Sequence, residues 1–195
     1  MNPGRLPGPP RIDPVPPTVV HLDPRREELA EQLWRRRVVL LSGRLDAAAA
    51  ETAVGRILLA DADGPDPIQL HLHCPDGDLD AAVVLAETLQ LVRARVVAVA
   101  AGTVGGPVVG AYAAARVRRA HPHARFALTE PRAALRGTAA QLAADVDLRA
   151  GQLRFLAETI ATATGHDRLG FDGRILTAAE AHEEGLVQEI AGQSR

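Results

Sequence analysis

Apolar residues in this chain alternate between short continuous runs and longer stretches of helical spacing. Val96 to Ala101 is apolar at every position and rich in valine, which predicts a strand buried on both faces. Val38 to Leu41 predicts a second buried strand, stopped by Ser42-Gly43. Ile68 to His73 alternates apolar and polar, which predicts a strand with one face less buried; His71 and His73 share that face and Cys74 lies on the other. Ala124 to Thr129, and Leu186 to Ile190 after Arg174-Ile175-Leu176, complete the predicted strands. Val108 to Val117 resumes as small apolar residues after a break at Gly102 to Pro107 and ends among Arg116, Arg118 and Arg119. That predicts strand, tight glycine turn and buried helix, with Pro107 in the first helical turn and the arginines at its C-terminus.

The other helices are predicted from their caps. Pro24 to Trp34 has Asp23 as N-cap, Ala47 to Leu59 has Asp46, and Leu79 to Val92 has Asp78. Thr138 to Thr164 is a long helix with Leu142, Val146, Leu153, Leu156 and Ile160 on one side and Gly165 after its end. Thr177 with Glu180 three residues on is a capping box for a helix reaching Gly185. Strands alternating with helices predict an α/β layer fold with a largely parallel sheet. Eight of the first 24 residues are proline, so 1–24 reads as an extended arm and 25–195 as the folded domain.

A net charge of −2 gives no reason to expect nucleic acid or an anionic membrane as partner. No apolar run reaches the roughly 20 residues of a transmembrane span, and the first residues show no secretory h-region. With Cys74 the only cysteine, no intrachain disulfide forms and the expected compartment is the cytoplasm. Every basic residue is arginine, with no lysine anywhere.

The turn 102–107 lies where hydrolases often carry a nucleophile, between a strand and a helix. Here it holds neither serine nor cysteine, and the chain's two serines are Ser42 and Ser194. Cys74 beside His71 and His73 is one alternative nucleophile, although a buried thiol is the commoner role for such a residue. The His71/His73 and His121/His123 pairs lack a third metal anchor. Asp76, Asp78 and Asp80 begin like a calcium loop that Ala81-Ala82-Val83 does not continue. No metal and no cofactor is expected.

From Trp34 to Ile190 the order of motifs resembles the ClpP family, the proteolytic subunits of ATP-dependent Clp proteases. The resemblance rests on Arg37 to Gly43 as first strand, Ile68 to Leu79 as strand and glycine loop, Gly137-Thr138-Ala139-Ala140 opening a long handle helix, and Leu176 to Ala181 with Glu184-Gly185-Leu186-Val187. It implies a ClpP/crotonase-like fold with layered helices and a protruding handle helix. The crotonase group shares that fold, but no CoA-binding signature is present.

The resemblance implies a Ser-His-Asp triad with two backbone N–H groups for the oxyanion. Carried over residue by residue, the serine position is Gly106, or Val104 in a second alignment. The histidine position is Thr129 and the aspartate position Leu169, with Asp167 and Asp172 out of register. The oxyanion donors would be Gly77 and Pro107, and Pro107 has no N–H; in the second alignment Gly105 follows the nucleophile and could donate. Asp76 and Asp78 bring negative charge to the same place. Positions Gln69 and His71 match tyrosines that in the family line a pocket for the ATPase unfoldase. The expectation is a catalytically inactive pseudo-peptidase. It would act as a structural or regulatory subunit, assembled with itself or with active ClpP paralogues in heptameric rings, and could dock a Clp-type ATPase unfoldase. The alternative is an active serine-type endopeptidase subunit with a rearranged site or a Cys74 nucleophile.

Overall fold

The computed structural model describes residues 24–192; the arm before Pro24, the proposed cap Asp23, and Ser194 lie outside them. In chain order the elements are α1 (Pro24–Arg35), β1 (Val38–Leu45), α2 (Ala47–Asp63), β2 (Ile68–Gly77), α3 (Leu79–Leu91), β3 (Val96–Ala100), β4 (Thr103–Gly105), α4 (Val108–Ala113), β5 (Val117–Ala120), β6 (Arg125–Ala127), α5 (Ala139–Thr164), β7 (Ile175–Thr177), α6 (Ala178–Glu183) and β8 (Glu189–Ile190). The larger sheet runs β1-β2-β3-β5-β8 with every pairing parallel. A smaller one runs β4-β6-β7, with β4 parallel and β7 antiparallel to β6. This is the α/β architecture with a largely parallel sheet and layered helices that the alternation of patterns predicts.

Strand β2 shows how sequence sets the layers. Ile68, Leu70, Leu72 and Cys74 are buried, whereas Gln69 and His73 are exposed and His71 is half-buried. Helices α2 and α3 pack on each other, α2 also on β1 and β2 and α3 on α4 and α5, and they bury Ala50, Ala53, Ile57, Ala60, Ala82, Leu85 and Leu89. The small alanines let the helices approach closely. Central β3 is buried along its whole length.

The helix predicted from Val108 to Val117 is shorter, and the difference has a clear cause. It ends at Ala113, and Val117 to Ala120 forms β5, paired to β3. The arginines therefore follow the helix, Arg118 and Arg119 from the next strand, and do not form its last turn. Arg116 donates to the carbonyls of Val92 and Arg93. Arg118, 7% exposed, points inward from β5 and donates to Ala115, Ala163 and Leu186 at 3.1, 2.9 and 2.9 Å, with a longer contact to Gly185. These carbonyls lie at or just past the C-terminal ends of α4, α5 and α6, where unpaired carbonyls and the negative helix poles suit a cation. No carboxylate meets this guanidinium among the described residues. Burial lowers the Arg118 pKa, with a smaller opposing effect from Tyr112.

Helix α5 is capped by the Thr138/Gln141 box and ends at Gly165 in the left-handed conformation. Its second half packs inward: Leu156 and Ile160 are in the core, and Leu156 lies against Gly110 of α4, where a Cβ would meet it at 2.7 Å. Its first half is largely exposed, including Val146 and Leu148. The apolar side predicted along the helix is therefore two surfaces, one inside and one outside. Among the described residues no helix is long and apolar enough to cross a membrane.

Candidate functional site

Four chain segments meet beside the C-terminal end of β2. The end of β2 itself supplies Pro75, Asp76 and Gly77. The link between β4 and α4 supplies Gly106 and Pro107. The segment after β6 supplies Thr129 to Arg132, and the loop before β7 supplies Phe171, Asp172 and Gly173. The cavity between them, about 890 Å³, is lined by the first, third and last of these together with Arg44.

Two glycines set the approach. A Cβ on Gly105 would overlap the Pro75 carbonyl oxygen, so β4 can lie against β2 only with glycine there. Gly106 has φ +56°, a left-handed conformation that favours glycine. A Cβ on Gly106 would sit 3.4 Å from Asp76 Oδ1, 3.7 Å from Thr129 Oγ1 and 3.8 Å from the Thr129 carbonyl oxygen. Gly106 donates its N–H to the Ala127 carbonyl, holding the turn to β6.

The predicted positions separate accordingly. Gly106 and Thr129 come together. Val104 is fully buried, paired with Phe126 between β4 and β6. Leu169 is also in the core and does not line the cavity; Asp172, three residues on, does. Gly77 lines the cavity. Pro107 is the N-cap of α4 and offers no N–H.

Cys74 does not qualify as a nucleophile. It is 1% exposed in the core, and burial pushes its thiol up to about 11, against a smaller opposite effect of a backbone hydrogen bond at His73. A thiol in that state is neither reachable nor ionised near neutral pH. His71 lies on the open face of β2 near Gln69, at 3.2 Å. Burial, and then the nearby His121, lower its pKa. Among the described residues no three histidine, cysteine, aspartate or glutamate side chains converge as metal ligands would.

The charge of the site differs from the expected pair of bare carboxylates. Arg44, opposite Asp76 in the β1–β2 register, bonds Asp76 Oδ2 through Nη1 and Asp78 Oδ1 through Nη2, the latter at 2.6 Å. The hydrogen bond that Arg44 donates to Asp78, and the charges of both aspartates, raise the Arg44 pKa. Asp78 therefore sits at the N-cap of α3 without capping it, because its carboxylate is turned to Arg44. Asp172 is held by Arg174, whose Nε lies 2.7 Å from Oδ2 and whose N–H donates to Oδ1. Partial burial pushes the Asp172 carboxyl up, but the Arg174 bonds and charge together outweigh it and hold the carboxyl below its usual range.

Sequence reasoning missed Arg44 and Arg132 and set Asp172 aside. The parallel register of β1 with β2 would have put Arg44 opposite Asp76. For Arg132 and Asp172 no local pattern gives the placement.

Comparison with known proteins agrees in direction. The family model described as Clp protease matches residues 23–194. The chain is 33% identical over 173 residues to ATP-dependent Clp protease proteolytic subunit 3 of Rhodococcus jostii, covering 85% of this chain and 86% of the relative. It is 30% identical over 176 residues to proteolytic subunit 3 of Streptomyces coelicolor, covering 84% and 79%. It is 29% identical over 176 residues to proteolytic subunit 2 of Rhodococcus jostii, covering 86% and 90%.

Proposed function

The chain belongs to the Clp protease family, and from that premise we propose that it is a subunit of a Clp-type ring that does not itself cut peptides. The observation that carries this reading is the meeting of Gly106 and Thr129. Acyl transfer by the family's chemistry needs a nucleophile and a general base facing each other there. Glycine has no side chain to attack with, and a threonine hydroxyl is no base near neutral pH. Two further features support the reading. Pro107 removes one of the two N–H groups that would hold an oxyanion, a loss that alone typically costs on the order of 10²–10³ in rate. Asp76 places a carboxylate beside the same space. The alternative of an active peptidase loses its support in Cys74, which is buried and held as a thiol.

The role left is in assembly. The exposed half of α5, with Val146 and Leu148, is the proposed contact between rings, with copies of this chain or active paralogues as neighbours. The proposed compartment is the cytoplasm. Docking of an ATPase unfoldase would use the open sheet face at Gln69 and His71, where Val97, Val99 and Val117 form an apolar floor between Arg95 and Arg119. Gln69 and His71 hold an apolar anchor less well than aromatic rings would.

Native mass spectrometry of the purified protein, alone and after mixing with an active paralogue, tests the assembly role. Ring-sized or mixed particles are expected. A monomer at micromolar concentration that stays separate from the paralogue would contradict it.

A further inference from the structure

On the open face of the larger sheet the strand register lines up two rows of side chains. Val38, Gln69, Val97 and Val117 form the first, and Leu40, His71, Val99 and Arg119 the second. Leu40 is apolar yet 49% exposed. A hollow of about 220 Å³ lies over the β2, β3 and β5 members of these rows, edged by Pro67, Arg95 and Arg119. Arg119 is taken by Glu189 of β8. Arg95 has no carboxylate partner among the described residues.

The arm, residues 1–23, joins the described part of the chain at Pro24, the start of α1, and α1 leads through Arg36 and Arg37 to Val38, the first member of the first row. Helix α1 has 12 residues and is roughly 18 Å long. A chain turned back beside it covers that length in about six residues. The two strand spacings from β1 to β3, roughly 10 Å, take about three more. The stretch from Val15 onward is therefore long enough to reach the hollow. Its chemistry also fits. Asp13 to Asp23 reads DPVPPTVVHLD, with Val15, Val19, Val20 and Leu22 between two aspartates and no arginine. Pro14, Pro16 and Pro17 have no N–H to pair along a strand edge, so the segment can meet the sheet through its side chains and not by lengthening it.

We propose that the apolar segment from Val15 to Leu22 of the chain's own arm docks on this open face and covers the surface over Val97, Val99 and Val117. The tether holds the segment at an effective concentration of about millimolar, so a contact too weak to last between separate molecules is filled within one. Arg95 and an aspartate of the segment form the polar edge of the contact. The consequence for function rests on the reading of this face as a dock for an ATPase unfoldase: the arm occupies the dock, and the ATPase has to displace it.

The test is thiol cross-linking of the full chain with a short bismaleimide, read by intact mass. Val20→Cys in the arm is combined with Gln69→Cys at the hollow or with Glu87→Cys on the exposed side of α3, and the parent chain controls for Cys74. Cross-links within one chain should form at least about five-fold more at Gln69 than at Glu87. Arg95→Glu, at an exposed position, should lower the yield at Gln69. Val19→Asp with Leu22→Asp, changes confined to the arm, should bring it down to the Glu87 level. Equal yields at the two positions would overturn the proposal, as would a Gln69 yield that neither change lowers. Cross-links formed only between two chains would also overturn it and would assign the face to a second copy. Binding of a purified Clp-type ATPase to the parent and to the Val19→Asp, Leu22→Asp variant is measured in parallel and should be tighter for the variant. Equal binding by both would overturn the competition. No binding by either, with the Gln69 cross-link present, would sink the docking reading and leave the arm contact standing, whereas a missing cross-link sinks this inference whatever the ATPase does.

Discussion

Replacing Arg118 with methionine removes a charge but little volume, so its effect isolates the contacts of the guanidinium. Three carbonyls, of Ala115, Ala163 and Leu186, lose their donor. Each buried acceptor left unpaired costs about 1–3 kcal/mol. Part of that returns, because a guanidinium no longer has to be taken out of water. With the low end of that range for each of the three acceptors, the balance is a loss of about 3 kcal/mol. For a chain of this size that lowers Tm by about 6–12 °C. Arg118→Lys keeps the charge but cannot reach three diverging carbonyls at once, and should fall between the two. Urea unfolding followed by circular dichroism measures this at one fixed protein concentration, because assembly also contributes to apparent stability. A methionine variant within about 1 kcal/mol of the parent would refute the argument that Arg118 joins three helix ends.

Three further outcomes follow from the same geometry. Val146→Asp combined with Leu148→Asp should shift the native mass to smaller particles while leaving circular dichroism unchanged; Leu156→Asp should instead unfold the chain, and the reverse pattern would mean the two surfaces of α5 are misassigned. Cys74 should resist iodoacetamide at pH 8 in the folded protein and react at once in denaturant; rapid labelling of the folded protein would contradict its burial. Asp172 has its folded pKa held below the unfolded value, so its contribution is present above the unfolded carboxylate range, near pH 4, and is lost as pH falls through the folded pKa; Asp172→Asn should flatten the acid limb of a stability–pH curve below about pH 4, and an unchanged limb would remove Arg174 as the cause.

How much was legible in the sequence depends on how local the determining forces are. The capping boxes at Thr138 and Thr177, the cap at Asp46 and the alternation in β2 are set by neighbours within a few residues, and each appears where its pattern places it. The stretch 108–120 misleads because small apolar residues suit a buried helix and a buried strand alike. Arginine at helix C-termini is sound physics, but Arg118 reaches those ends from the next strand. Pairing between strands decides the rest. Asp78 looks like an N-cap until β1 brings Arg44 beside it. Gly106 and Thr129 are 23 residues apart in sequence, and only the meeting of β4 with β6 puts them together. Leu169, placed by counting back from Thr177, is buried in the core and does not line the cavity, because a count along the chain fixes a sequence distance and not where the loop turns the side chain.

Intact-protein mass after incubation with a serine-directed phosphonate tests the central claim most directly, with an active Clp proteolytic subunit treated in parallel. The account predicts no added mass on this chain while the active subunit is fully labelled. A stoichiometric adduct on this chain, mapped to any residue in 102–110 or to Ser42, would contradict it.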